Sequence, residues 1–178
     1  MSADGKTTSV IIAGLGGQGI VKASDILASA AHGAGYDVKK SEIHGMSQRG
    51  GSVSSDVRFG ARVLSPMTPR GGADYLAVTE PTQAAPNRHM LRPGGVLITP
   101  DAVPHTAGGG EDSTDLMANR TINVALLGVL AAHLPIAEEH WLAAIRQNLP
   151  EKLHDLNCNV FLRGLAIERF MGRLSGGG

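Results

Sequence analysis

Ser9-Val10-Ile11-Ile12-Ala13-Gly14-Leu15-Gly16-Gly17-Gln18-Gly19-Ile20-Val21-Lys22 decides the fold. A compact apolar run ends in a glycine cluster, which reads as strand, tight turn, then helix. From Ile20, apolar and small residues recur at Ala23, Leu27, Ala30, Ala31 and Ala34, while Lys22, Asp25, Ser29 and His32 take the opposite side. This is an amphipathic helix whose alanine-rich inner face lets its axis approach a sheet closely. Gly33 and Gly35 supply its C-terminal stop. The run from Asp37 to Ile43 then returns as a second, parallel strand.

Further along, His44-Gly45-Met46-Ser47-Gln48-Arg49-Gly50-Gly51 is a polar, glycine-rich loop, and the alternating run Ser52 to Phe59 is a strand. Asp74 to Thr79 reads as a strand and Glu80 to Met90 as a short helix. Val96 to Thr99 is another strand after a Pro93-Gly94-Gly95 turn. The stretch Asp101 to Asp115, centred on Gly108-Gly109-Gly110, reads as a mobile loop. The last third is helical: Thr121 to Leu134 is apolar nearly all round, and Glu138 to Leu149 carries Trp141, Leu142, Ile145 and Leu149 on one face. A final helix covers about Asn157 to Leu174. Alternating β and α elements give the α/β class. The expectation is one three-layer domain over residues 1–178, with a mostly parallel Rossmann-like sheet and a helical C-terminal third.

The balance of residues excludes several functions. Sixteen Lys and Arg against sixteen Asp and Glu leave zero formal charge, so no net positive field gathers nucleic acid. Aromatic residues make up 3% of the 178, too few for a base-stacking platform. The single Cys158 excludes an internal disulfide and an iron–sulfur cluster held by this chain alone, and it suits a reducing cytoplasm. The longest apolar run, Val124 to Ala132, is far short of the roughly 20 residues that cross a bilayer. Asp4 and Lys6 precede the first apolar segment, with none of the marks of a secretory signal. A soluble, cytoplasmic protein is expected.

Two segments carry chemistry. Gly14-x-Gly16-x-x-Gly19 follows a strand and opens a helix, the context of the dinucleotide fingerprint, in which glycines allow close backbone approach and the helix N-terminus offers N–H groups to an anion. The acid that should bind a ribose belongs at the end of the second strand, and Glu42 is the only candidate. A structural turn or a contact to a partner fits the same glycines. In the His44 to Gly51 loop, Arg49 is the best anion binder, against the plainer reading of a solvated linker. His44 is open to both readings, a lone His being more often a structural hydrogen-bonding residue than a base. His133 and His140, or His154 and Cys158, bring no third ligand, so no metal site is expected. Neither a Gly-x-Ser-x-Gly elbow nor a Walker-type lysine loop occurs.

Taken together, Gly14 to Gly19, Ser41-Glu42-Ile43 followed by His44 to Gly51, and Val57-Arg58-Phe59-Gly60 closely resemble the gamma-type subunit of 2-oxoacid:ferredoxin (acceptor) oxidoreductases. The His-Gly-Met-Ser-Gln-Arg-Gly-Gly form is most similar to the beta subunit of the indolepyruvate branch. Agreement continues through Ala73-Asp74-Tyr75-Leu76 and Asn123-Val124-Ala125-Leu126-Leu127-Gly128 to the last helices. The resemblance implies a complex that oxidatively decarboxylates a 2-oxoacid with coenzyme A as co-substrate and passes electrons to ferredoxin. Thiamine diphosphate, magnesium and [4Fe-4S] clusters are then expected on large partner subunits, with none bound by this chain alone. It names no certain catalytic residue here. It makes Gly14, Gly16, Gly17, Gln18, Gly19, His44, Ser47, Gln48, Arg49, Gly50 and Gly51 candidates for a surface facing the cofactor or coenzyme A. The alternative is a free-standing NAD(P)-binding protein of Rossmann type.

Overall fold

The computed structural model describes residues 6–45, 50–103 and 121–175. The first strand, β1 (Thr8–Leu15), leads through the glycine turn into α1 (Ile20–Gly33), β2 (Asp37–His44) and β3 (Ser52–Gly60). After β4 (Ala73–Val78), two short 3-10 turns flank α2 (Ala84–Asn87), and β5 (Leu91–Ile98) follows. Helices α3 (Ile122–Ala131), α4 (Glu138–Asn148) and α5 (His154–Ser175) complete the described residues. None of the described helices is long and apolar enough to cross a membrane.

The strands lie in the order β2-β3-β1-β4-β5. β4 is parallel to both β1 and β5, whereas β3 is antiparallel to both β1 and β2. Every strand except β3 therefore points one way, and the sheet is mixed with a mostly parallel core. β2 has the direction expected of it, and β3 is inserted between it and β1. The sequences explain the arrangement. Asp37-Val38-Lys39-Lys40-Ser41-Glu42-Ile43-His44 buries no residue fully, and its charges suit a sheet edge that must resist pairing with other chains. β3 buries Ser55, Asp56, Val57 and Phe59 and suits an interior position.

Strand alternation sends Val10, Ile12, Val57, Phe59 and Ala77 to one face, into a core closed by α1, α3, α4 and α5. Ile11, Ala13, Leu76 and Val78 form a smaller core on the other face, under Ala84, Met90 and Leu91. The third layer is thus only the short helical segment 81–90. Pro86 within it lacks an N–H and keeps the pieces short. The Pro-Gly-Gly group lies inside β5, not before it: Ala73 pairs with Leu91 and Tyr75 already with Val96, so residues 92–95 bulge out of the ladder. Of the expected loop from Asp101 to Asp115, Pro100–Ala102 forms a 3-10 turn, and the part beyond residue 103 lies outside the described residues.

α3 is buried along its whole length and α5 crosses it at backbone contact. A Cβ added at Gly128 would collide with the Phe161 carbonyl oxygen, and one at Gly164 with that of Ala125. Trp141 of α4 stacks on Phe161 with ring centroids 5.4 Å apart, joining the outer helices over the same crossing.

Candidate functional site

β1 and β4 are adjacent and parallel, and the chain leaves them in opposite directions across the sheet. That is a topological switch point, where a crevice opens beyond the C-terminal strand ends. The Gly14–Gly19 turn leaves β1 there. β3 starts at the same end, so the second glycine-rich segment is brought beside the first: Gly16 N–H donates to the Gly51 carbonyl at 2.9 Å. Gly45 N–H donates to the Ser52 carbonyl at 2.7 Å, and Ser52 Oγ lies 2.7 Å from Gln83 Oε1 in the segment after β4. The two motifs, far apart in sequence, form one rim.

Inside the turn, Gly17 and Gly19 have φ of +89° and +72°, a left-handed backbone that glycine adopts without strain. Gly19 caps α1, whose first N–H groups have no acceptor within the helix. Gln18 folds back: its Oε1 accepts from Leu15 N–H at 2.8 Å and from Thr79 Oγ at 2.7 Å. Asn123, at the start of α3, donates through Nδ2 to the Gly19 carbonyl at 3.1 Å. Two side-chain amides therefore brace one turn, and sequence reasoning missed Asn123 and Thr79 as members of it. The available signals were a lone amide in an otherwise apolar helix and a hydroxyl closing an apolar strand.

Gly14 is buried, with Thr79, Ile20 and Gln18 occupying the space of a side chain, so it makes room and does not reach the crevice. Gly16, Gly17 and His44 line a cleft of about 450 Å³ together with Gly19, Lys22 and Asp25. Gly50 and Gly51 stand at its rim; Gly50 has φ +66°. Ser47, Gln48 and Arg49 lie outside the described residues.

At the β2 side of this cleft is a charged network. Lys40 Nζ bonds Asp25 Oδ1 and Glu42 Oε1, each at 2.6 Å, and Glu42 Oε2 lies 3.4 Å from His44 Nε2. Burial alone would lower the Lys40 pKa, but the hydrogen bonds to Asp25 and Glu42 outweigh it and hold the ammonium above the ordinary lysine value. The hydrogen bond from Lys40 holds Glu42 below the ordinary carboxylate value against a smaller opposing effect of burial.

Glu42 is therefore occupied, and it stands two strands from the glycine turn, a lateral distance of roughly 9–10 Å at ~4.8 Å per strand. A dinucleotide site needs its acid on the strand next to β1, with open space above the second glycine. Here β3 fills the neighbouring place, and Gly50 N would lie 3.5 Å from a Cβ on Gly16. The geometry gives the dinucleotide reading no support. Nor do the described residues fit a metal ion or cluster. Among the described residues no three His, Cys, Asp or Glu converge, His154 Nε2 pairs with the Leu149 carbonyl at 2.8 Å, and Cys158 is buried.

The chain matches the pyruvate ferredoxin/flavodoxin oxidoreductase family over residues 9–167. It is 33% identical to the indolepyruvate oxidoreductase subunit IorB of Thermococcus kodakarensis, across 93% of this chain and 98% of that one. The subunit of the same name from Pyrococcus horikoshii is also 33% identical, over 93% and 98%. In fold it is similar to a keto/oxoacid ferredoxin oxidoreductase gamma subunit from Geobacter sulfurreducens, with TM-score 0.74, 21% identity and coverage of 93% of this chain and 98% of that one. It is also similar to the 2-oxoglutarate:ferredoxin oxidoreductase of Magnetococcus marinus, solved with 2-oxoglutarate, coenzyme A and succinyl-CoA bound, with TM-score 0.76 and 19% identity. The match covers 94% of this chain and 32% of that longer one.

Proposed function

Because the chain belongs to the pyruvate ferredoxin/flavodoxin oxidoreductase family, we propose that it is the small subunit of a 2-oxoacid:ferredoxin oxidoreductase. The substrate proposed is indolepyruvate or another aryl 2-oxoacid, converted with coenzyme A to an acyl-CoA. The kinship with whole subunits named for indolepyruvate supports that choice. Thiamine diphosphate with magnesium, and [4Fe-4S] clusters, reside on a large partner subunit, and ferredoxin accepts the electrons. These groups supply the electron sink for decarboxylation and the path outward. The one cysteine of this chain does not fit a cluster, so no redox step is assigned to its residues.

This subunit instead completes a surface. The observation that carries the proposal is the bond from Gly16 N–H to the Gly51 carbonyl, which makes one rim of the two glycine-rich motifs at the switch point. The helix N-terminus at Gly19, with Lys22 and His44 in the adjoining cleft, offers hydrogen-bond donors and positive charge to an anion. A coenzyme A phosphate, the diphosphate of the partner's cofactor or a partner carboxylate would each be suited.

Arg49 is the strongest such donor in the His44 to Gly51 motif, and it tests the proposal. In the assembled enzyme, Arg49→Ala should raise the apparent KM for coenzyme A if the loop meets that ligand, or weaken assembly if it meets the partner. A lost desolvated, charge-assisted bond costs about 2–5 kcal/mol. Arg49→Lys should restore function only in part, since an ammonium loses the planar fork. Steady-state kinetics and size-exclusion chromatography check both effects; wild-type behaviour in both reduces Arg49 to a solvated residue.

A further inference from the structure

Gln18 is among the candidates for the ligand-facing surface, yet its side-chain oxygen is committed inward. The atom facing Leu15 N–H must be the amide oxygen, because a backbone N–H can only donate. That oxygen also takes the hydroxyl hydrogen of Thr79, at 2.7 Å. Thr79 is buried at the C-terminal end of β4, and its own N–H donates to the Ala13 carbonyl at 3.0 Å. The hydroxyl fits only because Gly14 has no side chain: a Cβ there would collide with Thr79 Oγ and lie 2.8 Å from Gln18 Oε1.

We propose that Gln18 and Thr79 form a latch across the β1/β4 switch point, making both positioning residues for the ligand-facing turn. The Gln18 oxygen holds the start of the turn through Leu15 and anchors it to β4 through Thr79. Leu15 precedes Gly16, whose N–H joins the second motif, and Gln18 precedes Gly19, which caps α1. The latch therefore fixes the relative placement of Gly51's segment, the turn and the first donors of α1. The segment after β4 is joined to the same rim through Ser52 and Gln83, so both motifs and both parallel strands are referred to one amide oxygen. This inference rests on the reading that the rim faces a ligand of the assembled enzyme, and it assigns Gln18 an indirect role there.

The test uses the assembled complex and reads coenzyme A kinetics with 2-oxoacid saturating. Thr79→Val removes the donor in nearly the same volume, Gln18→Met removes the acceptor, and Thr79→Ser keeps the hydroxyl. The latch predicts that Thr79→Val and Gln18→Met each raise the apparent KM for coenzyme A on the order of 10-fold, equivalent to about 1.4 kcal/mol, with kcat changed less. The double variant should be no worse than Gln18→Met alone, because that substitution already removes the bond to Thr79 along with the one to Leu15. Thr79→Ser should stay near wild type.

A KM raised by Gln18→Met but not by Thr79→Val would overturn the proposal, since Gln18 would then act without Thr79, through Leu15 or through the ligand itself. Multiplicative effects in the double variant would also overturn it, as would unchanged kinetics with an equally lowered denaturation midpoint, which is a purely structural bond. If a variant does not assemble, hydrogen exchange over residues 14–20 of the isolated chain decides: faster exchange there in Thr79→Val and not in Thr79→Ser supports the latch, and no difference overturns it. Failure of the underlying reading is separate and shows in the wild type, as an enzyme whose coenzyme A saturation is the same with and without this subunit.

Discussion

Gly14 shows how one missing side chain organises the site. The space beside it is taken by the Thr79 hydroxyl, Ile20 and Gln18, all of them packed or hydrogen-bonded. Gly14→Ala should therefore lower stability by about 1–3 kcal/mol, the usual cost of overpacking, measured as a lower urea midpoint with unchanged slope. Lys40 sets a second, pH-dependent expectation. Glu42, held below its ordinary pKa, contributes stability that is present above the ordinary carboxylate range and lost as pH falls through its folded value. Lys40, held above its ordinary value, contributes stability that is present below the ordinary lysine range and lost as pH rises through its folded value. Lys40→Met should be less stable than wild type near neutrality. The difference should narrow as pH falls from the ordinary carboxylate range toward the lowered value of Glu42; a gap of constant size from pH 7 down to about pH 3 would count against the network.

At the scale of elements, the crossing of α3 and α5 gives the sharpest prediction. Gly128 and Gly164 bring the two backbones together, and neither position can accept a methyl group without moving a helix. Gly164→Ala should cost about 2–3 kcal/mol despite the better helix propensity of alanine, read by denaturant unfolding; a neutral or stabilising result would show that the helices can separate. Much of this level was legible in the sequence. The strand, turn and helix from Ser9 to Gly33, the apolar α3 and the amphipathic α4 follow from periodicity and glycine placement. The place of β3 between β1 and β2 was not, because periodicity reports which face a strand buries and says nothing of its neighbours. The bulge at Pro93-Gly94-Gly95 escaped for a related reason: the same residues make a turn or a bulge, and only pairing with β4 separates them. Within the site, the glycines announced the turn. Thr79 and Asn123 did not announce themselves, since their bonds span 61 and 104 residues of sequence.

For the molecule as a whole, the kinship over 93% of the chain with subunits of an oxidoreductase meets a structure in which two glycine-rich motifs share one rim. The switch-point rim, the braced turn and the charged network beside His44 orient donors, while the chemistry of decarboxylation needs an electron sink and redox centres that this chain's single cysteine does not supply. A site-completing subunit has no turnover of its own and restores that of its partner. Coenzyme A-dependent reduction of a viologen dye with an aryl 2-oxoacid should therefore be assayed with the chain alone, the proposed large thiamine diphosphate subunit alone, and the two together. The chain should be colourless and inactive, the large subunit should show little or no activity, and full turnover should appear only on mixing. Dye reduction by the isolated chain, or undiminished turnover by the large subunit without it, would show that this chain does not complete the partner's site.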